Sequence, residues 1–157
     1  MNIKIKGCSQ SRQKGLVSVE FALIGSLFFI ILFGIVEFGR LLFTWNTLDE
    51  VTRRAARLAA VCPITQQTEV INNAIFQGTV LKGLNSSNVN VEYLDNNFAP
   101  TATVEQITYV RASIQNYQHQ LIIPLIPGTF LTAPDFSTTL PSESLGITPT
   151  GAWSVQC

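Results

Sequence analysis

The chain has 157 residues, ten basic and ten acidic, for a formal net charge of zero. That length holds one small domain plus an anchor. After Gly15 there are six basic and ten acidic residues, a mildly acidic balance without a basic cluster, which argues against nucleic acid as a partner.

Taken in order, the chain opens on a basic leader. Lys4, Lys6, Arg12 and Lys14 precede Gly15, with no acidic residue among them. Basic residues flanking an apolar segment stay cytoplasmic, so the long remainder is expected across the membrane. Cys8 stays with the leader in a reducing compartment. Ile5-Lys6-Gly7-Cys8 follows no apolar run, which speaks against lipoprotein processing.

The stretch Gly15 to Trp45, GLVSVEFALIGSLFFIILFGIVEFGRLLFTW, is almost wholly apolar, yet Glu20 lies inside it. A charge at the bilayer centre costs roughly 2.5 kcal/mol or more. A cleaved signal peptide places small residues after its apolar run. Here Glu37, Phe38, Gly39 and Arg40 follow Val36, which is no such site. The 25 residues from Phe21 to Trp45, with two charges, are long enough to span a bilayer, and Trp45 suits the outer interface. Glu37 and Arg40, three apart, share a helix face and can neutralise each other as an interfacial pair. Ala22 and Ser26 form a small-residue face of the kind that lets helices approach in lipid.

Lys14-Gly15 followed by Leu16-Val17-Ser18-Val19-Glu20-Phe21 resembles a type IV prepilin cleavage site. The longer string VEFALIGSLFFIILFGIVEFGRLLFTWNTLDEVTRRAAR is similar to the TadE-like family, minor pseudopilins of the Tad (tight adherence) system. The resemblance covers roughly Lys14 to Ala60 and departs from it at Gly25-Ser26, where relatives often carry Pro. It implies that a prepilin peptidase cuts after Gly15 on the cytoplasmic side, with Leu16, Glu20 and Phe21 completing the processing signal. It also implies that Glu20 pairs with the new α-amine of a neighbouring subunit. That pairing turns a costly lone charge into a neutralised pair in low dielectric. Without a partner, Glu20 can simply snorkel at the inner headgroups. Further implied partners are a second minor pseudopilin of TadF type, the major Flp pilin and the inner-membrane assembly platform. The implied role is pilus assembly for adherence and biofilm formation, at the bacterial inner membrane or in the fibre.

Beyond Trp45, Leu48, Val51, Ala55, Leu58 and Ala59 recur at helical spacing. Thr47 with Glu50 can form a capping box, so either one continuous helix or a second, kinked one fits, ending at Pro63. Arg53, Arg54 and Arg57 can bind acidic headgroups or a partner, or form a solvated face with Asp49 and Glu50. A second helix is expected over Thr65–Leu81, on Val70, Ile71, Ala74, Ile75 and Val80, terminated by Gly83. Asn85–Asn88 reads as a turn, Val89, Val91 and Tyr93 as alternating positions of a strand, and Asp95–Pro100 as a loop. Thr103–Ile123 is the clearest β region. Ile107, Tyr109, Arg111 and Ser113 fall on one face, and Thr108, Val110, Ala112 and Ile114 on a second face expected to turn inward. Pro124 and Pro127-Gly128 break it. Pro134, Pro141 and Pro149 punctuate a Ser/Thr-rich tail of irregular backbone or short edge strands. Cys62 and Cys157 fall on the outer side, where a disulfide can form. Bridged, they would add about 4 kcal/mol by the chain-entropy estimate; otherwise they are two thiols.

The fold class expected is α+β: a long N-terminal transmembrane helix extending into a small outer domain with an antiparallel sheet. The expected divisions are a leader over 1–15, a span over 16–45, a helical extension over 46–62 and an α+β domain over 63–157. No enzyme is indicated. His119 has no Ser or Cys marked as its nucleophile, and Glu92, Asp95, Glu105, Asp135 and Glu143 are scattered. One His among three Cys does not suggest a zinc site, and no cofactor is expected. The leading reading is a cleaved minor pseudopilin. Its rivals are an uncleaved, signal-anchored periplasmic binding module and a pseudopilin of another type IV pilus or type II secretion system.

Overall fold

A computed structural model of the chain describes residues 13–122, 130–147 and 157. The leader residues before Gln13, Cys8 among them, and Pro124, Pro127 and Pro149 lie outside the described residues. Helix α1 runs unbroken over Gln13–Val61. The stretch contains no proline to remove a backbone donor. Its hydroxyl side chains turn back onto the helix rather than compete with it. Ser26 donates to Ala22 O at 2.8 Å and Thr44 to Arg40 O at 3.0 Å. Thr47 donates to Phe43 O at 2.8 Å, so it caps no second helix and the continuous alternative holds.

The chain divides into two units, Met1–Gly39 and Arg40–Cys157. In its described residues the first is helix alone. Leu16, Phe21, Leu27, Phe29 and Ile35 are all more than half exposed, and the most apolar window has a mean hydropathy of 2.5 with none of it buried. A helix apolar on every side needs lipid or other helices around it. It is the one candidate membrane-spanning helix among the described residues, consistent with a single-pass anchor.

In the second unit the rest of α1 becomes one-sided. Leu48, Val51, Ala55, Ala56 and Ala59 are fully buried, while Arg53, Arg54 and Arg57 face out. Arg53 pairs with Asp49 at 2.8 Å, and Arg54 lies over the Phe76 ring at 4.4 Å. Opposite the buried stripe is a three-stranded antiparallel sheet in the order β1-β2-β5, built from β1 (Val89–Leu94), β2 (Tyr109–Ile114) and β5 (Ser137–Pro141). The register sets Val89 against Ile114, Val91 against Ala112 and Tyr93 against Val110, so all six buried side chains share one face. Thr52 Oγ1 meets Thr138 Oγ1 at 2.9 Å, joining α1 to β5. A separate ribbon pairs β3 (Gln118–Gln120) with β4 (Phe130–Thr132).

Three expectations need correction. The second helix, α2, covers only Gln67–Ala74. Phe76 and Gln77 take φ of 53° and 55°, a left-handed turn that no α-helix continues through, so the chain leaves the helix before Val80. Ile107, assigned to the outer strand face, is buried because it precedes the strand, after the short 3₁₀ turn Val104–Gln106. The predicted β run is itself interrupted, since Gln115, Asn116 and Tyr117 separate β2 from β3 and Asn116 has φ 56°. The inward turn of Val110, Ala112 and Ile114 is as expected. So is the Ser/Thr-rich edge strand, β5, with Pro141 at its end.

A loop distant in sequence finishes the end of α1. The amides of Glu143 and Leu145 donate to Ala60 O at 3.0 and 3.3 Å, and Ser144 Oγ donates to Val61 O at 3.2 Å. These satisfy carbonyls that a helix end otherwise leaves open. Next to them Cys62 and Cys157 form a disulfide, Cα–Cα 6.0 Å. Cys157 is further held by its amide on Gln66 Oε1 at 2.8 Å and by Asn73 Nδ2 on its carbonyl at 2.9 Å.

Candidate functional site

The residues singled out for processing all lie in the first turns of α1. Gly15, Leu16, Glu20 and Phe21 are exposed, Leu16 at 72% and Phe21 at 78%. A Cβ built on Gly15 would have no neighbour within 4 Å, so among the described residues nothing crowds that position. Glycine is also the poorest helix former after proline, by about 1 kcal/mol against Ala, which lowers the cost of drawing that bond out of the helix. Glu20 stands four residues after Leu16, about 6 Å along the axis and on the same helix face. The arrangement offers one anionic group one turn from the nitrogen that a cut after Gly15 would expose.

The other two residues singled out on this helix fall at the junction of the two units. Glu37 is buried near the end of the first, and Arg40, half-buried, begins the second. Trp45, expected at the outer interface, packs half-buried against the hydrophobic core.

Sequence reasoning missed a polar cluster next to Arg40. His119, on β3, is buried, with Nδ1 3.3 Å from Thr44 Oγ1. Thr44 Oγ1 also donates to the Arg40 carbonyl at 3.0 Å, so the hydroxyl ties the imidazole to the helix backbone. Tyr117 donates to Lys82 O at 3.3 Å. Its hydroxyl pKa is raised from 10.0 by burial, while the charge of Arg40 pulls it the other way. Seventy-five residues separate Thr44 from His119, and no periodicity links them. The only available signal was a lone His in a polar strand.

Among the described residues no three His, Cys, Asp or Glu side chains come together as a metal site. A family model described as TadE-like protein matches residues 15–57, just over a quarter of the chain, and bears out the resemblance read from the sequence. The match begins at Gly15, takes in the exposed apolar helix and stops within the one-sided part of α1. No curated protein and no solved structure matches the chain.

Proposed function

We propose that this protein is a minor pseudopilin of the TadE-like kind, required for assembly of Tad/Flp type IV pili and so for adherence and biofilm formation. A TadE-like segment supports a Tad-pilus-associated, pseudopilin-like role at the level of the family. The observation that carries the finer reading is the position of Gly15. It opens the family match and lies on an exposed helix, five residues before a carboxylate set in an apolar span.

In this proposal the chain inserts with its basic leader in the cytoplasm and residues 16–45 across the inner membrane. Residues 46–62 and the domain over 63–157 lie outside, where the Cys62–Cys157 bridge is stable. A prepilin peptidase cuts after Gly15. Glu20 then neutralises the α-amine of Leu16 on a neighbouring pilin helix, and the low dielectric makes that pairing selective for one register. Glu37 and Arg40 act in the same packing, nearer the outer face. The partners are the peptidase, a TadF-type pseudopilin, the Flp pilin and the inner-membrane platform.

The deciding measurement is the intact mass of protein extracted from membranes of cells that contain the peptidase. A chain beginning at Leu16 is expected. A chain still beginning at Met1 would refute the pseudopilin and leave the uncleaved periplasmic binding module in its place.

A further inference from the structure

The three-stranded sheet buries Val91, Val110 and Ala112 on one face. Its other face carries a cross-strand row of Glu92, Arg111 and Thr139. A cavity of about 450 Å³ opens there, and its polar lining is Glu92, Arg111, Ser113, Gln115, Asn116 and Asp135. Strand β2 is paired on both sides, with β1 and β5, so its backbone is taken up in the ladder and side chains do the reading. Glu92 stands directly across from Arg111 yet makes no ion pair with it among the described residues. Instead Glu92 Oε1 accepts from Asn90 Nδ2 at 3.0 Å, and Arg111 Nε donates to Thr139 Oγ1 at 3.3 Å. A guanidinium has five donors and a carboxylate about four acceptor sites, so both retain hydrogen-bonding capacity.

Two residues back along β2, about 7 Å away, is an aromatic stack. Phe98 lies on Tyr109 with ring centroids 4.7 Å apart and planes 15° from parallel, and Phe98 is still 53% exposed. Its loop is closely fixed. Asp95 Oδ1 accepts from the amides of Asn97 and Ala99 at 2.8 and 2.9 Å, and Phe98 N donates to Asp95 O at 3.1 Å. Phe98 takes φ of 60°, a conformation that a bulky residue keeps only where its surroundings impose it.

We propose that this sheet face binds an uncharged oligosaccharide, with one sugar ring lying on Phe98 and the hydroxyls of the next unit held by Arg111, Glu92 and Asp135. A sugar hydroxyl both donates and accepts. It is matched by a lining that sets a donor-only guanidinium beside acceptor-only carboxylates and among Ser, Asn and Gln, which do both. The ring carbons of a sugar offer a flat apolar face, which an exposed aromatic plane covers. Two carboxylates against one guanidinium leave the cavity net negative, which opposes an anion, and the guanidinium between them opposes a metal ion. An extended peptide adds to a sheet edge through its main chain, whereas this site is on a face. Neither a cut after Gly15 nor the membrane span enters the argument, so the proposal stands or falls apart from the pseudopilin reading.

The test uses the full chain in a detergent without a sugar headgroup, which would compete. Saturation-transfer NMR titrations measure the affinity for cellotriose, maltotriose and triacetylchitotriose. Trigalacturonic acid, an anionic trisaccharide, and the uncharged peptide acetyl-(Gly-Ser)3-amide are titrated in parallel. At least one neutral trisaccharide is expected to bind with a Kd of about 1 mM or tighter, and about tenfold tighter than the acid or the peptide. Phe98→Ala is expected to weaken that sugar about tenfold, and Asp135→Ala several-fold. Both residues are exposed, and an unchanged urea midpoint verifies that each variant is folded. Arg57→Gln, on the exposed side of α1, is expected to change nothing. No binding of any of the three neutral sugars, equal affinity for the acid or the peptide, or wild-type affinity in either the Phe98→Ala or the Asp135→Ala protein would each overturn the proposal.

Discussion

Glu20 and Tyr93 show how differently two polar groups sit in apolar surroundings. Glu20 is exposed, with none of the described residues burying it, so in the proposed assembly what surrounds it is set by lipid and by other subunits. In the proposed mechanism Gly15→Glu places a charged side chain at the cut and leaves the precursor mass unchanged, whereas Glu20→Ala is processed and then fails to assemble. Normal fibres from the Glu20→Ala protein would remove the pairing argument. Tyr93 is buried, and its hydroxyl finds no hydrogen-bond partner among the described residues. A buried unsatisfied hydroxyl costs on the order of 1–3 kcal/mol, and replacing it with an apolar group of the same shape is close to neutral or stabilising. Tyr93→Phe is therefore expected to unfold at the same or a higher urea concentration. Burial also raises the Tyr93 and Tyr117 hydroxyl pKa values above 10.0. Above pH 10.0 the unfolded chain releases these protons before the folded one does. Stability contributed by the neutral hydroxyls is thus complete below pH 10.0 and falls as pH rises past it. Unfolding curves taken across that range should show the loss, and Tyr93→Phe should lessen it.

Helix α1 is one element with two surroundings. Its first part has apolar residues on every side, and its last part has a buried alanine-rich stripe and an arginine face. The stop is built from three pieces of chain: Pro63, the 143–146 loop and the disulfide. Gly146 is the tightest point, with φ of +78°, and a Cβ there would come within 2.7 Å of Pro63 Cδ and 2.8 Å of Pro63 N. Both the backbone conformation and the overlap disfavour any side chain. Gly146→Ala is expected to cost about 2–3 kcal/mol, read as a lowered urea midpoint with an unchanged slope. Wild-type stability would mean that the loop can move off Pro63 without loosening the helix end. The sequence indicated that α1 ends at Pro63. It held no sign that the carbonyls before Pro63 are satisfied by residues some 80 positions later, because such hydrogen bonds leave no local pattern.

At the scale of the molecule, the bridge between Cys62 and Cys157 closes most of the second unit, with a sequence separation of 95. A crosslink over so long a loop restricts the unfolded chain and contributes about 4 kcal/mol in the chain-entropy account. Cys157→Ser is expected to lose a large part of that in equilibrium unfolding, and the wild-type protein to lose the same amount under reductant. If reductant has no effect on the wild type, the contacts of Cys157 with Gln66 and Asn73 hold the segment without the bond.

The long apolar helix, the candidate anchor, was legible from residues alone. An apolar run and a lone acid inside it are local features, fixed by composition and by spacings of a few residues, and the strand faces of Val89–Tyr93 and Val110–Ile114 follow from strict alternation. The early end of α2 was not legible, because left-handed Phe76 packs against the core and under Arg54, contacts with distant residues that helical periodicity does not show. Nor was the placing of His119 on Thr44 and of Thr138 on Thr52. Those contacts join α1 to segments 75 and 86 residues away, and only folding, which sums many weak long-range contacts, decides which distant side chains become neighbours.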